Sequence, residues 1–163
     1  MSESRLYWLN KDTLEREHRL ARKLVEDQGI VISKDAAAYE LARAAFAKVA
    51  IAEQNFLFPS TLRLVYVYDM DEQPKEHEIS NSDGFSGVSE KMEDGKRVSS
   101  IGISIQALQK SEEYAALIFL HELAHVVSHG RKHDKLYHVL LDMMIAQYND
   151  HHGTHVVNDY FGL

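Results

Sequence analysis

The stretch from Tyr114 to Val127 sets the strictest condition on how this chain can fold. On a helical wheel, Leu117, Phe119, Leu120, Leu123, Ala124, Val126 and Val127 cover most directions around the axis. A helix of that kind has to be enclosed by other elements. The remaining sector, roughly 100° wide, carries His121, Glu122, His125 and His129. Imidazole and carboxylate groups on an enclosed helix need polar partners or a metal. His121 and His125 project from one face, one turn apart, where two imidazoles can share an ion. Glu122, beside the first, is then placed to work on a metal-bound water. The run His121-Glu122-Leu123-Ala124-His125 therefore points to a zinc-dependent hydrolase, most directly a peptidase.

A catalytic zinc usually takes three protein ligands and keeps a fourth position for water. His129 lies about 12 Å along the helix axis from His121, too far to share its ion while the helix stays regular. Gly130 suits a left-handed turn that ends the helix. A chain folding back there brings His133 toward the metal, and His133 is the favoured third ligand. His138 and Asp142 are the alternatives, since ligand chemistry allows all three. No glutamate follows Glu122, so no downstream Glu can complete the site.

Composition narrows the chemistry further. Cysteine is absent from the 163 residues, which excludes disulfides, thiolate metal sites and cysteine nucleophiles. A net charge of −7 argues against broad binding to nucleic-acid backbones. The polar start Met1-Ser2-Glu3-Ser4-Arg5 leads into no apolar signal segment, and no apolar run is long enough to span a bilayer. The expected location is cytoplasmic. The expected partner is a peptide or protein substrate, with no membrane and no nucleic acid; oligomeric state is not legible.

The length suits a single domain. Residues 11–56 read as two helices, one capped by Asp12 and stopped by Gly29, the other starting at Ser33 or Asp35 and leaving at Pro59. Residues 62–105 read as sheet. Leu62 to Tyr68 has strand composition, and Phe85–Glu90 and Arg97–Ile105 pair around the turn dipeptide Asp94-Gly95. The acidic stretch 69–83 reads as a solvated loop, since its spacing does not fit a calcium loop. Residues 111–148 hold the metal-binding helix and a last helix with Met143 and Met144 as core filling. Residues 149–163, with His151, His152 and His155, read as a mobile polar tail. The fold class is α+β: two N-terminal helices, a small, mostly antiparallel sheet of about three strands, the active-site helix and a C-terminal helix.

The HExxH run, followed by Gly130-Arg131-Lys132-His133-Asp134-Lys135-Leu136-Tyr137, resembles the zincin metallopeptidases, most of all the small SprT-like and WLM-type branch. In that branch a third His is followed by a small or acidic residue and then an aromatic at the fourth position. His133, Asp134 and Tyr137 match. The resemblance spans about residues 96–147 and implies a zincin-like domain, zinc ligands His121, His125 and His133, and Glu122 as general base. His125-Val126-Val127-Ser128-His129 is also similar to the ImmA/IrrE-like signature, which expects a downstream Glu that this chain lacks. Zincins hold substrate along an edge strand beside the active-site helix. By resemblance and position that strand is 99–105, with Ile101, Gly102 and Ile103 as substrate-binding residues. Tyr137, Tyr148, Tyr160 and His155 are available to stabilise an oxyanion. Three other classes compete: a non-catalytic metal-stabilised binding or regulatory domain, a metal-dependent hydrolase with a non-peptide substrate, and a metal-free interaction module whose His face binds a partner.

Overall fold

The computed structural model describes residues 7–8, 15–53, 61–74, 82–89, 97–128 and 134–158. It is an α+β fold in one small domain. In chain order come β1 (Tyr7–Trp8), α1 (Glu15–Glu26), α2 (Ala36–Glu53), β2 (Thr61–Tyr68), β3 (Gly84–Val88), β4 (Arg97–Ser104), α3 (Ile105–Lys110), α4 (Glu112–Val127) and α5 (Lys135–His152). Asp12, Pro59 and the Asp94-Gly95 turn lie outside the described residues. Gly29 does stop the first helical segment, with φ at 78° in the left-handed region that a side chain disfavours. No helix among the described residues is long and apolar enough to cross a membrane.

The sheet runs β1-β2-β4-β3. β3 and β4 pair antiparallel, as expected of the two strands flanking Asp94-Gly95. β2 and β4 pair in parallel from Thr61↔Arg97 to Tyr68↔Ser104. The sheet is thus mixed, with three long strands and the two-residue β1 at one side. Where β1 stops, the α1–α2 link takes over the outer side of β2. There Ser33 N–H donates to the Val67 carbonyl at 2.8 Å, and Val67 N–H donates to the Tyr39 hydroxyl at 3.3 Å. That covers an edge which would otherwise be open to further pairing.

Both faces of the sheet are buried. Ala21 and Val25 of α1 pack with Leu64, Tyr66, Tyr68, Phe85 and Val98 on one face. On the other, Val65, Val67, Ile101 and Ile103 meet α2, α3, α4 and α5, with Phe46 of α2 edge-on to Phe119 of α4 at 5.1 Å. α4 is buried nearly all round, as its composition requires: Ala115 to Ala124, Val126 and Val127 are all buried.

Two expectations are corrected here. Segment 99–105 is not an edge strand. β4 lies between β2 and β3, with both backbone edges paired. Its serines Ser99, Ser100 and Ser104 are fully buried. The Ser100 hydroxyl donates to the Ala21 carbonyl of α1, so a small residue there lets the helix approach while its polar group stays satisfied. Nor is 149–158 a mobile tail. α5 continues to His152 and ends at Gly153, with φ 65°. The Asn149 side chain then ties the chain back, accepting from Val156 N–H at 2.9 Å and donating to the Val156 carbonyl at 2.9 Å. Val156 is buried in the core. Asn149→Ala should therefore lower the melting temperature measurably, since it strips the bonds that hold this segment. An unchanged thermal melt would show the segment to be held by Val156 burial alone.

Candidate metal centre

α4 is launched by Ser111, whose hydroxyl accepts from Tyr114 N–H at 2.9 Å. Glu112 and Glu113 sit in its first turn, where the helix dipole favours negative charge. It ends at Val127, earlier than Gly130, with Ser128 N–H donating to the Ala124 carbonyl at 3.1 Å. His121 and Glu122 are 4% and 5% exposed, and His125 is half-buried on the last turn. The two imidazole rings stand 4.9 Å apart, nearly perpendicular at 80°. One ligand atom from each of His121, Glu122 and His125 lies within 4.8 Å of the others, and the group can hold a metal ion. Two imidazoles with an adjacent carboxylate suit zinc among other first-row divalent ions. Nε2 of His121 and Oε2 of Glu122 are 3.8 Å apart.

β3 runs beside this group. A Cβ built on Gly84 would stand 2.6 Å from Ile118 Cγ2 and 3.2 Å from Glu122 Oε2, so only glycine lets the strand pass this close to α4. Two residues on, the Ser86 hydroxyl donates to the Glu122 carboxylate. Asp83 anchors the start of the strand. Its carboxylate accepts from the Tyr114 hydroxyl of α4 and, at 3.4 Å, from the Ser104 hydroxyl. Its carbonyl accepts from Ser104 N–H at 2.9 Å. None of Asp83, Gly84 and Ser86 was singled out from sequence. The available signal was glycine within a strand, which marks close backbone approach. At Gly102 the same signal marks a core ring rather than a ligand: a Cβ there would overlap the Phe85 ring.

Burial pushes the Glu122 carboxyl up to about 8, against the partial lowering by the Ser86 hydrogen bond. The folded chain then binds a proton that the unfolded chain, with its carboxyl near 4.5, has lost between those values. The contribution to stability is complete below about pH 4.5 and is lost as pH rises through about 8. Metal-stripped protein should accordingly lose stability over that interval, and Glu122→Gln should remove that part of the pH dependence. Parallel denaturant titrations of the two metal-free chains check this; identical slopes against pH would contradict it.

On the far side, the first turn of α5 brings Tyr137 against both histidines. Its hydroxyl donates to the His121 carbonyl at 2.8 Å, and its ring stacks on His125 at 4.5 Å and 26°. That hydroxyl is buried and committed, so it is not free to meet an oxyanion. Tyr148 packs against His152 at 4.6 Å near the other end of α5, and His155 is exposed with its N–H donating to Glu113 at 2.9 Å. Tyr160, His129 and His133 lie outside the described residues. Of the other third-ligand candidates, Asp142 is exposed, and neither it nor His138 joins the metal-binding group. Among the described residues no second such group exists: His152 Nε2 is 3.0 Å from the Lys48 carbonyl. Met144 is core, as expected, whereas Met143 is exposed.

Ile101, Gly102 and Ile103 do not line the site as substrate-binding residues. The side chains of Ile101 and Ile103 are fully buried, and the backbone of all three is paired with β2 on one side and β3 on the other. Searches of protein-family models, of curated proteins and of solved structures found no match to this chain.

Proposed function

We propose that this chain is a zinc-dependent endopeptidase whose metal is held by His121, His125 and His133 and whose general base is Glu122. One observation carries the reading: two histidines and a glutamate with converging donor atoms on a buried helix, directly beside an edge strand. His133 is the ligand that the sequence favours, and His138 and Asp142 stay outside the group. His133 is separated from α5 only by the helix cap Asp134.

Bound zinc supplies a water of lowered pKa, near about 7, and a polarised scissile carbonyl. Glu122 takes the proton from the attacking water and passes it to the leaving amine. The Ser86 hydroxyl orients the Glu122 carboxylate, and the absence of a side chain at Gly84 leaves it uncrowded.

The substrate strand in this reading is β3 rather than β4. β3 ends the sheet, and among the described residues no strand pairs with its outer side. An extended peptide added there would gain main-chain hydrogen bonds and lie alongside Glu122. Little side-chain selectivity is expected from a strand reading Gly84-Phe85-Ser86-Gly87-Val88.

The test is metal analysis of the purified protein with hydrolysis of an unfolded protein substrate, before and after chelation. Stoichiometric zinc and chelator-sensitive cleavage support the proposal. Zinc without cleavage, with four protein ligands and no water, would make it a metal-stabilised binding domain instead. His133→Ala should strip most of the bound zinc; full occupancy in that variant would move the third ligand elsewhere.

A further inference from the structure

We infer that Tyr137 is a positioning residue that holds the two helix histidines in metal-binding geometry. The inference rests on the reading that His121 and His125 bind a metal. One phenol reaches both of them by different means. Its hydroxyl donates to the main-chain carbonyl of His121 at 2.8 Å. Its ring lies almost flat on the His125 imidazole, 4.5 Å between centroids and 26° between planes, and edge-on to His121 at 5.7 Å and 75°.

The two histidines differ in what else constrains them. His121 is buried in the middle of α4 and surrounded by core. His125 sits on the last turn, half-buried, two residues before the helix ends. A ring in that position has freedom about its side-chain torsions unless something packs on its face, and Tyr137 does. Tyr137 is itself immobilised. It is fully buried, and its N–H donates at 2.9 Å to Asp134, the residue that caps α5. The cap fixes the tyrosine, and the tyrosine fixes the ring.

The same contact has a second effect. It joins the first turn of α5 to α4 at the level of His121. A ligand set assembled before the ion arrives loses less freedom on binding it, and such supporting contacts typically contribute about 10–100-fold in metal affinity.

Two substitutions separate the two contacts. Tyr137→Phe keeps the stacked ring and removes the hydroxyl bond; Tyr137→Leu removes both. Zinc affinity is measured by competition with a chromophoric chelator, and ligand geometry by the absorption spectrum of the cobalt-loaded protein. Melting of the metal-free protein is followed in parallel. The expected result is graded: zinc affinity weaker by a few-fold to about 10-fold for Phe and by about 100-fold for Leu, with altered cobalt bands. A purely structural role would lower the metal-free melting temperature and leave the zinc affinity and cobalt spectrum of the folded protein unchanged. That outcome overturns the inference. If Tyr137→Leu does not fold, Tyr137→Phe decides alone, and native affinity with a native spectrum refutes it. A native chain that binds neither zinc nor cobalt defeats the metal reading itself, which is a different result.

Discussion

Glu122→Gln should bind zinc as the native chain does and lose peptide hydrolysis by about 10²–10⁴-fold in kcat, the usual worth of a positioned general base. The substitution preserves size and leaves an amide that can still accept from the Ser86 hydroxyl. It also removes a group whose ionised form is costly to bury, so the variant should fold at least as well as the native chain near neutral pH. Loss of activity therefore cannot be traced to loss of structure. Metal content, thermal melting and turnover of an unfolded substrate, measured on one preparation, settle it. Turnover within a few-fold of native would remove Glu122 from the mechanism.

Gly102→Ala is expected to be strongly destabilising, its Cβ meeting the tightest contact of the described glycines. The built Cβ overlaps three atoms of the Phe85 ring, which lies across the glycine in the antiparallel pair. Phe85 has nowhere to retreat: it is 4% exposed and packs against Tyr68 at 5.6 Å. Overpacking of this kind costs about 1–3 kcal/mol, read as a lower denaturation midpoint. A double-mutant cycle identifies the cause. Phe85→Ala is destabilising in itself, but in its background Gly102→Ala should cost little, leaving a coupling of similar size to the overpacking. Additive effects would mean that backbone preference, rather than the ring, requires glycine.

The α4 site was legible because its chemistry is local. His121, Glu122 and His125 are close in sequence, and helix periodicity alone brings them together. The enclosing of α4 was legible for the same reason, from apolar residues on every side. The position of β4 was not. Ser99-Ser100-Ile101-Gly102-Ile103-Ser104 alternates like a strand with one wet face, yet small residues on a second buried face give the same pattern. Only the partner distinguishes them: α1 accepting from Ser100, and Phe85 filling the hollow over Gly102. Strand order is a long-range property, and no residue in 99–105 carries it. The contribution of β3 was hidden similarly. Asp83, Gly84 and Ser86 read as turn and strand residues until β3 is set against Tyr114 and Glu122.

Among the described residues no strand pairs with the outer side of β3, and this bears on how the protein behaves in a crowded solution. Soluble sheets usually guard an open margin with lysine, proline or a bulge. Gly84 to Val88 contains no charged residue and no proline. A strand pairing with such a margin would use backbone groups that every polypeptide owns, another copy of the same strand included. A margin of that composition favours pairing with a second copy of itself. Solubility should rise when the margin is occupied by a short extended peptide, and fall when the chain is concentrated without one.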